Sequence, residues 1–304
     1  MTINCLYMDW GVRKQQSWVR KQQSCFLTPS PIKIHLINCH SERSDESRCF
    51  YRTIVKKMLF LLDNKPSSFL TCSPMMSITL FNVPAIYIFL GLAFLLPKIP
   101  VVGKFFNVIN TLIHELGHAL FALPFDGVVK KIELFNDTSG TTTTQCKSKV
   151  GSFFVSIAGY LFAALFAYFA FFLISVGYHK GFIITITLIA FFTLLLWIRN
   201  SYGVVWVLIF TAINSYLIYL NNDYYLQLIG LLYATFIGVE ALSSSFVVLY
   251  LSLFRSGQAG DATILAKSTK IPAFIWGVLF AAISLYMSYL IVLHFFNLDL
   301  LKLW

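Results

Sequence analysis

From Leu80 onward the chain alternates long apolar runs with short polar breaks, and the runs are long enough to cross a hydrocarbon core of about 30 Å. The first predicted span covers Leu80 to Leu96 and stops at Pro97-Lys98-Ile99-Pro100. The second runs from Lys104 to Leu123 and stops at Pro124, where the ring and the missing N–H end a helix. Further runs cover Ser152 to Val176, Phe182 to Ile198, Gly203 to Leu220, Tyr224 to Phe254 and Ile271 to Phe296. The Arg199-Asn200 break is short enough to be a kink instead. Between residues 125 and 149 the pattern changes. Val128 to Leu134 and Thr141 to Gln145 are β-prone, with turn chemistry from Asn136 to Gly140 between them. The expected fold is an all-α polytopic membrane protein of about seven transmembrane helices, with a small β-hairpin at the membrane surface between the second and third spans.

Composition agrees: 58% of residues are hydrophobic and 12% are charged, which excludes a soluble domain. The net charge of +10 is unevenly divided, with eleven Lys or Arg against five acids in residues 1 to 75 and twelve against eight in the remainder. The first stretch also holds five of the six cysteines, at spacings that form no metal or disulfide framework, and a duplicated Val-Arg-Lys-Gln-Gln-Ser segment. Residues 1 to 75 therefore read as a low-complexity basic segment ahead of a membrane domain over residues 76 to 304, and Met75 or Met76 is the expected native start. A basic membrane-surface arm is the alternative. Within the membrane part, the loops holding Lys130, Lys131, Lys147, Lys149, Arg199, Arg255, Lys267 and Lys270 fall on one side, and Lys98, Lys104, Lys180 and Lys302 on the other. The richer side is expected to face the cytoplasm.

The polar residues of the second span carry the candidate chemistry. His114-Glu115-Leu116-Gly117-His118 places two imidazoles four apart on a helix, about 6 Å along its axis, so both can reach one metal ion. Glu115 then stands beside the ion, free to take a proton from water. Asn107, Asn110 and Thr111 extend the same polar face, which needs partners or water inside an apolar helix. His114 lies about 15 Å and His118 about 9 Å from the end of the span at Pro124, so the metal would sit within the membrane. Buried ionisable groups at such a depth mark function by default. The bland alternative is a pair of hydrogen-bonded core histidines.

A catalytic zinc site usually has three protein ligands plus water. Asp261 and Glu240 are the candidates for the third. Asp261 lies in a polar loop that an even number of spans returns to the hairpin's side, although an Asp after Gly260 also suits a helix cap. Glu240 is an unpaired acid in the sixth span, able to serve as ligand or as a partner to one.

His114-Glu-Leu-Gly-His-Ala-Leu, Gly127-Val-Val-Lys-Lys-Ile-Glu-Leu134, Gly140-Thr-Thr, Ala158-Gly-Tyr160, Asp261-Ala262 with Leu265, and Ile271-Pro-Ala273 occur in that order. Together they resemble a compact bacterial branch of the site-2-protease-like intramembrane metallopeptidases, over most of residues 76 to 304. The resemblance implies zinc held by His114, His118 and Asp261, with Glu115 as general base, in a multi-pass protein of the bacterial cytoplasmic membrane. It implies membrane-protein substrates, single-span proteins foremost, cleaved in or near their transmembrane helices. One departure stands out: the family's Asn-Pro...Leu-Asp-Gly context is replaced here by Gly-Asp-Ala. No loop is long enough for a PDZ domain. The hairpin strand Lys131-Ile132-Glu133-Leu134 is expected to offer its edge to an unwound substrate. Beyond substrate and lipid bilayer no partner is expected, nucleic acid included. The competing functions are a metal transporter, which would spread acids and histidines over several spans, and an inactive scaffold, which would not need all three motif residues.

Overall fold

The computed structural model describes residues 79–80, 83–99 and 102–296 of the chain, all within the compact unit Pro66–Trp304. The expectations for residues 1 to 75 lie outside the described residues. The described part is mostly helical: α1 (Ala85–Leu95), α2 (Val102–Ala122), α3 (Lys149–Ser175), α4 (His179–Leu196), α5 (Ser201–Leu220), α6 (Asp223–Phe254), the short α7 (Asp261–Thr269) and α8 (Ala273–Phe295). A two-residue ladder, β1 (Thr79–Leu80) with β2 (Val83–Pro84), precedes α1. The antiparallel hairpin β3 (Val128–Leu134) and β4 (Gly140–Gln145) separates α2 from α3, as the sequence pattern predicts.

Five helices, α3, α4, α5, α6 and α8, are long and apolar enough to cross a membrane. The two earlier predicted spans differ from that description. Helix α1 begins only at Ala85, after the β2 residues Val83–Pro84, and its 11 residues rise about 16 Å, roughly half a hydrocarbon core. Helix α2 has the length, at 21 residues, but Lys104, Asn107, Asn110, His114, Glu115 and His118 lower its apolar character. The residues that build the candidate site are thus the ones that weaken the membrane signal. The Arg199-Asn200 break is real: α4 ends at Leu196, and the Arg199 guanidinium donates to the carbonyls of Leu196 at 2.6 Å and Ile198 at 2.9 Å.

The core is continuous along the inner faces. Val108, Ile109, Leu112 and Ile113 of α2 meet Ala163, Ala167 and Ala170 of α3 and Leu231, Ala234 and Ile237 of α6 in one buried cluster. Small residues on α3 let the helices approach closely, which drives helix packing where lipid removes the hydrophobic incentive. Ile132 and Leu134 of β3, both fully buried, join the same cluster and fix the hairpin against it. A second cluster of Val248, Ala259, Ala262, Leu265, Trp276 and Phe280 holds α7 against α6 and α8.

Candidate metal centre

Helix α2 brings His114 and His118 to one face, and α7 brings Asp261 to meet them. Their ligand atoms form a nearly equilateral triangle. His114 Nε2 and His118 Nε2 are 3.1 Å apart, and Asp261 Oδ2 is 3.2 Å from the first and 3.3 Å from the second. A four-coordinate ion bound at about 2.0–2.1 Å, as zinc is by histidine and carboxylate, has ligand atoms about 3.3–3.4 Å apart. The three side chains therefore fit a tetrahedral metal with one position left.

The surroundings support that fit. Val155 of α3 accepts the Nδ1–H of His118 at 2.7 Å, which directs the Nε2 lone pair toward His114 and Asp261. A neutral His118 in this orientation faces a carboxylate with a lone pair, so the triangle calls for a shared cation. Tyr160 packs edge-on against the His114 ring at 4.5 Å and stacks on Phe280 at 4.7 Å, fixing the imidazole plane. Gly159 supplies space: a Cβ there would stand 2.5 Å from His118 Nε2 and 2.6 Å from His114 Nε2, in the room a shared ion needs. Gly159→Ala is accordingly expected to lose stoichiometric metal in elemental analysis while the folded, helical protein persists. Full metal content in that variant would show that the imidazoles can move aside.

Asp261 is not a cap. Helix α7 is capped by Gly260 without a side-chain bond, and the backbone there, φ 53° and ψ −123°, is one that side chains strongly disfavour. Gly260 turns the chain so that Asp261, the first helical residue, points at the histidines.

Glu115, 5% exposed, completes the group. Its Oε2 accepts a hydrogen bond of 2.6 Å from Thr142 Oγ1 on β4. These residues, with Asn110, Tyr160 and Ser244, line a cavity of about 710 Å³, within the usual size of a small-molecule or peptide site. Asn110 is buried, and its Oδ1 has no hydrogen-bond partner among the described residues. Glu240 stands apart from the triangle. With its amide oriented to donate, Asn107 reaches Glu240 Oε1 at 3.3 Å and the Gly103 carbonyl at 3.1 Å.

The edge of Lys131 to Leu134 is closed. Ile132 donates its N–H to the Trp197 carbonyl at 2.8 Å and accepts from Arg199 N–H at 3.3 Å. Leu134 N–H donates to Asn200 Oδ1 at 3.2 Å, and Asn200 Nδ2 returns a bond to the Leu134 carbonyl. Lys131 and Glu133 pair with each other at 2.8 Å. The α4–α5 break thus occupies this edge of β3 through a single parallel bridge, Ile132 with Ile198, and the Asn200 amide, and the expectation that the strand offers a free edge is corrected. Among the described residues the unpaired edge belongs to β4, whose residues Gly140 to Thr144 line the cavity. Sequence reasoning assigned no role to Thr142, Val155, Gly159 or Tyr160. The Gly-Thr-Thr and Ala-Gly-Tyr segments around three of them were visible only as parts of a resemblance.

Fold and site together define a helical, membrane-type chain with a three-ligand candidate metal centre beside a carboxylate. Residues 85–291 match the Peptidase M50B-like family, and the chain belongs to this site-2-protease-like family of metallopeptidases. No curated protein and no solved structure matches the chain.

Proposed function

We propose that the chain is an intramembrane zinc metalloprotease, hydrolysing peptide bonds in or near the transmembrane segments of other membrane proteins. The triangle of His114, His118 and Asp261 beside Glu115 carries this reading, because its edges of 3.1–3.3 Å suit a tetrahedral ion with an open position. Zinc, when bound there, supplies Lewis acidity toward the scissile carbonyl and toward water. Glu115 accepts a proton from the attacking water at its carboxylate and passes it to the leaving amine, so that water adds across the C–N bond. Val155 and Tyr160 keep the imidazoles oriented through these steps. Among the described residues this is the one cluster of three or more such ligands, a pattern that favours a peptidase over a transporter with sites along a path.

The reading also places α1 and α2 in the bilayer with the five longer helices, about seven membrane segments in all. The excess of lysine and arginine on the hairpin side supports an opening toward the cytoplasm of a bacterial cell. A transmembrane substrate must unwind before its peptide bonds are accessible, and pairing with β4 would stabilise the extended form. A photo-crosslinking residue at Thr144 is expected to capture substrate, and one at Lys130 on the far strand is not. Equal capture at both positions would remove the β4 docking idea.

The whole reading is tested on the purified full chain in detergent or liposomes. One zinc per chain is expected, with cleavage of single-span proteins that a chelator stops and added zinc restores. Folded protein without metal affinity, or cleavage that survives chelation, would overturn it.

A further inference from the structure

The hairpin does more than border the cavity. Glu115 is held between two residues of β4. Thr142 Oγ1 lies 2.6 Å from Glu115 Oε2 and 3.0 Å from the Glu115 backbone carbonyl. With one proton to give, the hydroxyl directs it to the carboxylate, the shorter and charge-assisted contact. On the other side Gly140 packs so closely that a Cβ would lie 2.7 Å from both Cγ and Oε1 of Glu115. Glu115 therefore has little room to turn. Thr142 also belongs to the open edge. Its cross-strand partner Ile132 turns its N–H and C=O away from β4 to Trp197 and Arg199, so the backbone groups of Thr142 turn outward as well.

We propose that Thr142 is a positioning residue for Glu115: its hydroxyl fixes the carboxylate for proton transfer, making the hairpin part of the catalytic apparatus. The inference rests on the peptidase reading above. A glutamate with three side-chain torsions otherwise samples orientations that do not reach the water, and a misplacement of about 1 Å can cost on the order of 100-fold in rate. The site triangle does not involve Thr142, so metal binding should be indifferent to it.

Thr142→Val keeps the branched shape suited to a strand and deletes the hydroxyl. On the full chain we expect unchanged zinc stoichiometry, a folded protein with a modestly lowered melting temperature, kcat lowered on the order of 10- to 100-fold, and KM within about twofold. Thr142→Ser should recover most of kcat, and Thr142→Ala, a smaller hydroxyl-free variant, should behave as Thr142→Val does. In a Glu115→Gln background, Thr142→Val should add no further loss to the residual rate, because the group it aligns is gone. Unimpaired kcat in both hydroxyl-free variants overturns the proposal. So does a serine variant as damaged as the valine one, or a full additional loss in the Glu115→Gln background. Full activity of Glu115→Gln alone would instead remove the base assignment beneath it.

Discussion

Glu115→Gln is expected to keep its zinc and lose turnover by about 100- to 10,000-fold, the usual contribution of a positioned general base. The substitution preserves size, and Glu115 is not one of the three atoms that define the ligand triangle. An amide can still accept a hydrogen bond from Thr142 in place of the 2.6 Å contact, so the hairpin should stay seated. The loss then belongs to the proton transfer itself. Metal content by elemental analysis and initial rates on a single-span substrate, measured on the same preparation, separate the two effects. Undiminished rates would sink the mechanism, and loss of zinc would make Glu115 part of the metal site.

The sequence made some of this arrangement legible and hid the rest for physical reasons. Helical spacing alone puts His114 and His118 on one face, since the geometry from one residue to the fourth after it is local. The hairpin is legible for the same kind of reason: Val128–Leu134 and Gly140–Gln145 flank a turn whose Thr138 takes a positive φ of 68° and whose Asp137 accepts two bonds from Ser139. Those bonds hold the Asp137 carboxyl below its ordinary range, as expected for an exposed turn residue. Contacts between distant segments have no such local signature. Nothing in Trp197 to Asn200 announces that the break between two apolar runs pairs with β3, yet that pairing decides which strand edge is open. Thr142 reads as one of four threonines in a row until α2 is laid beneath it. The membrane assignment met a different difficulty. A window of apolar residues finds α3 to α6 and α8, but a helix that carries a polar site is less apolar by construction, and α2 is that helix.

Asp261→Ala is expected to abolish stoichiometric zinc together with activity, whereas Glu240→Gln retains metal. Spacing along the chain could not choose between the two acids, because one sits in a loop of undetermined path and the other on a helix of undetermined rotation. The fold separates them. Asp261 Oδ2 stands 3.2 and 3.3 Å from the two imidazole nitrogens, and α7 is anchored by the buried Ala262 and Leu265, so the carboxylate arrives on a fixed element. Glu240 instead faces Asn107, two helical turns before His114 on α2. Removing Asp261 leaves two nitrogens, too few for a structural or catalytic zinc site of the usual kind. Removing the charge of Glu240 disturbs at most a neighbour of the site, where losses of metal affinity run about 10- to 100-fold and leave micromolar loading possible for a tight site. A cap role for Asp261 would have cost only about 1 kcal/mol of stability with metal intact, so the zinc measurement also separates ligand from cap. The decisive comparison is zinc per chain in the two variants, each shown to be folded by its helical signal. Metal retained without Asp261 and lost without Glu240 would transfer the third ligand to α6 and require that helix to rotate toward the site.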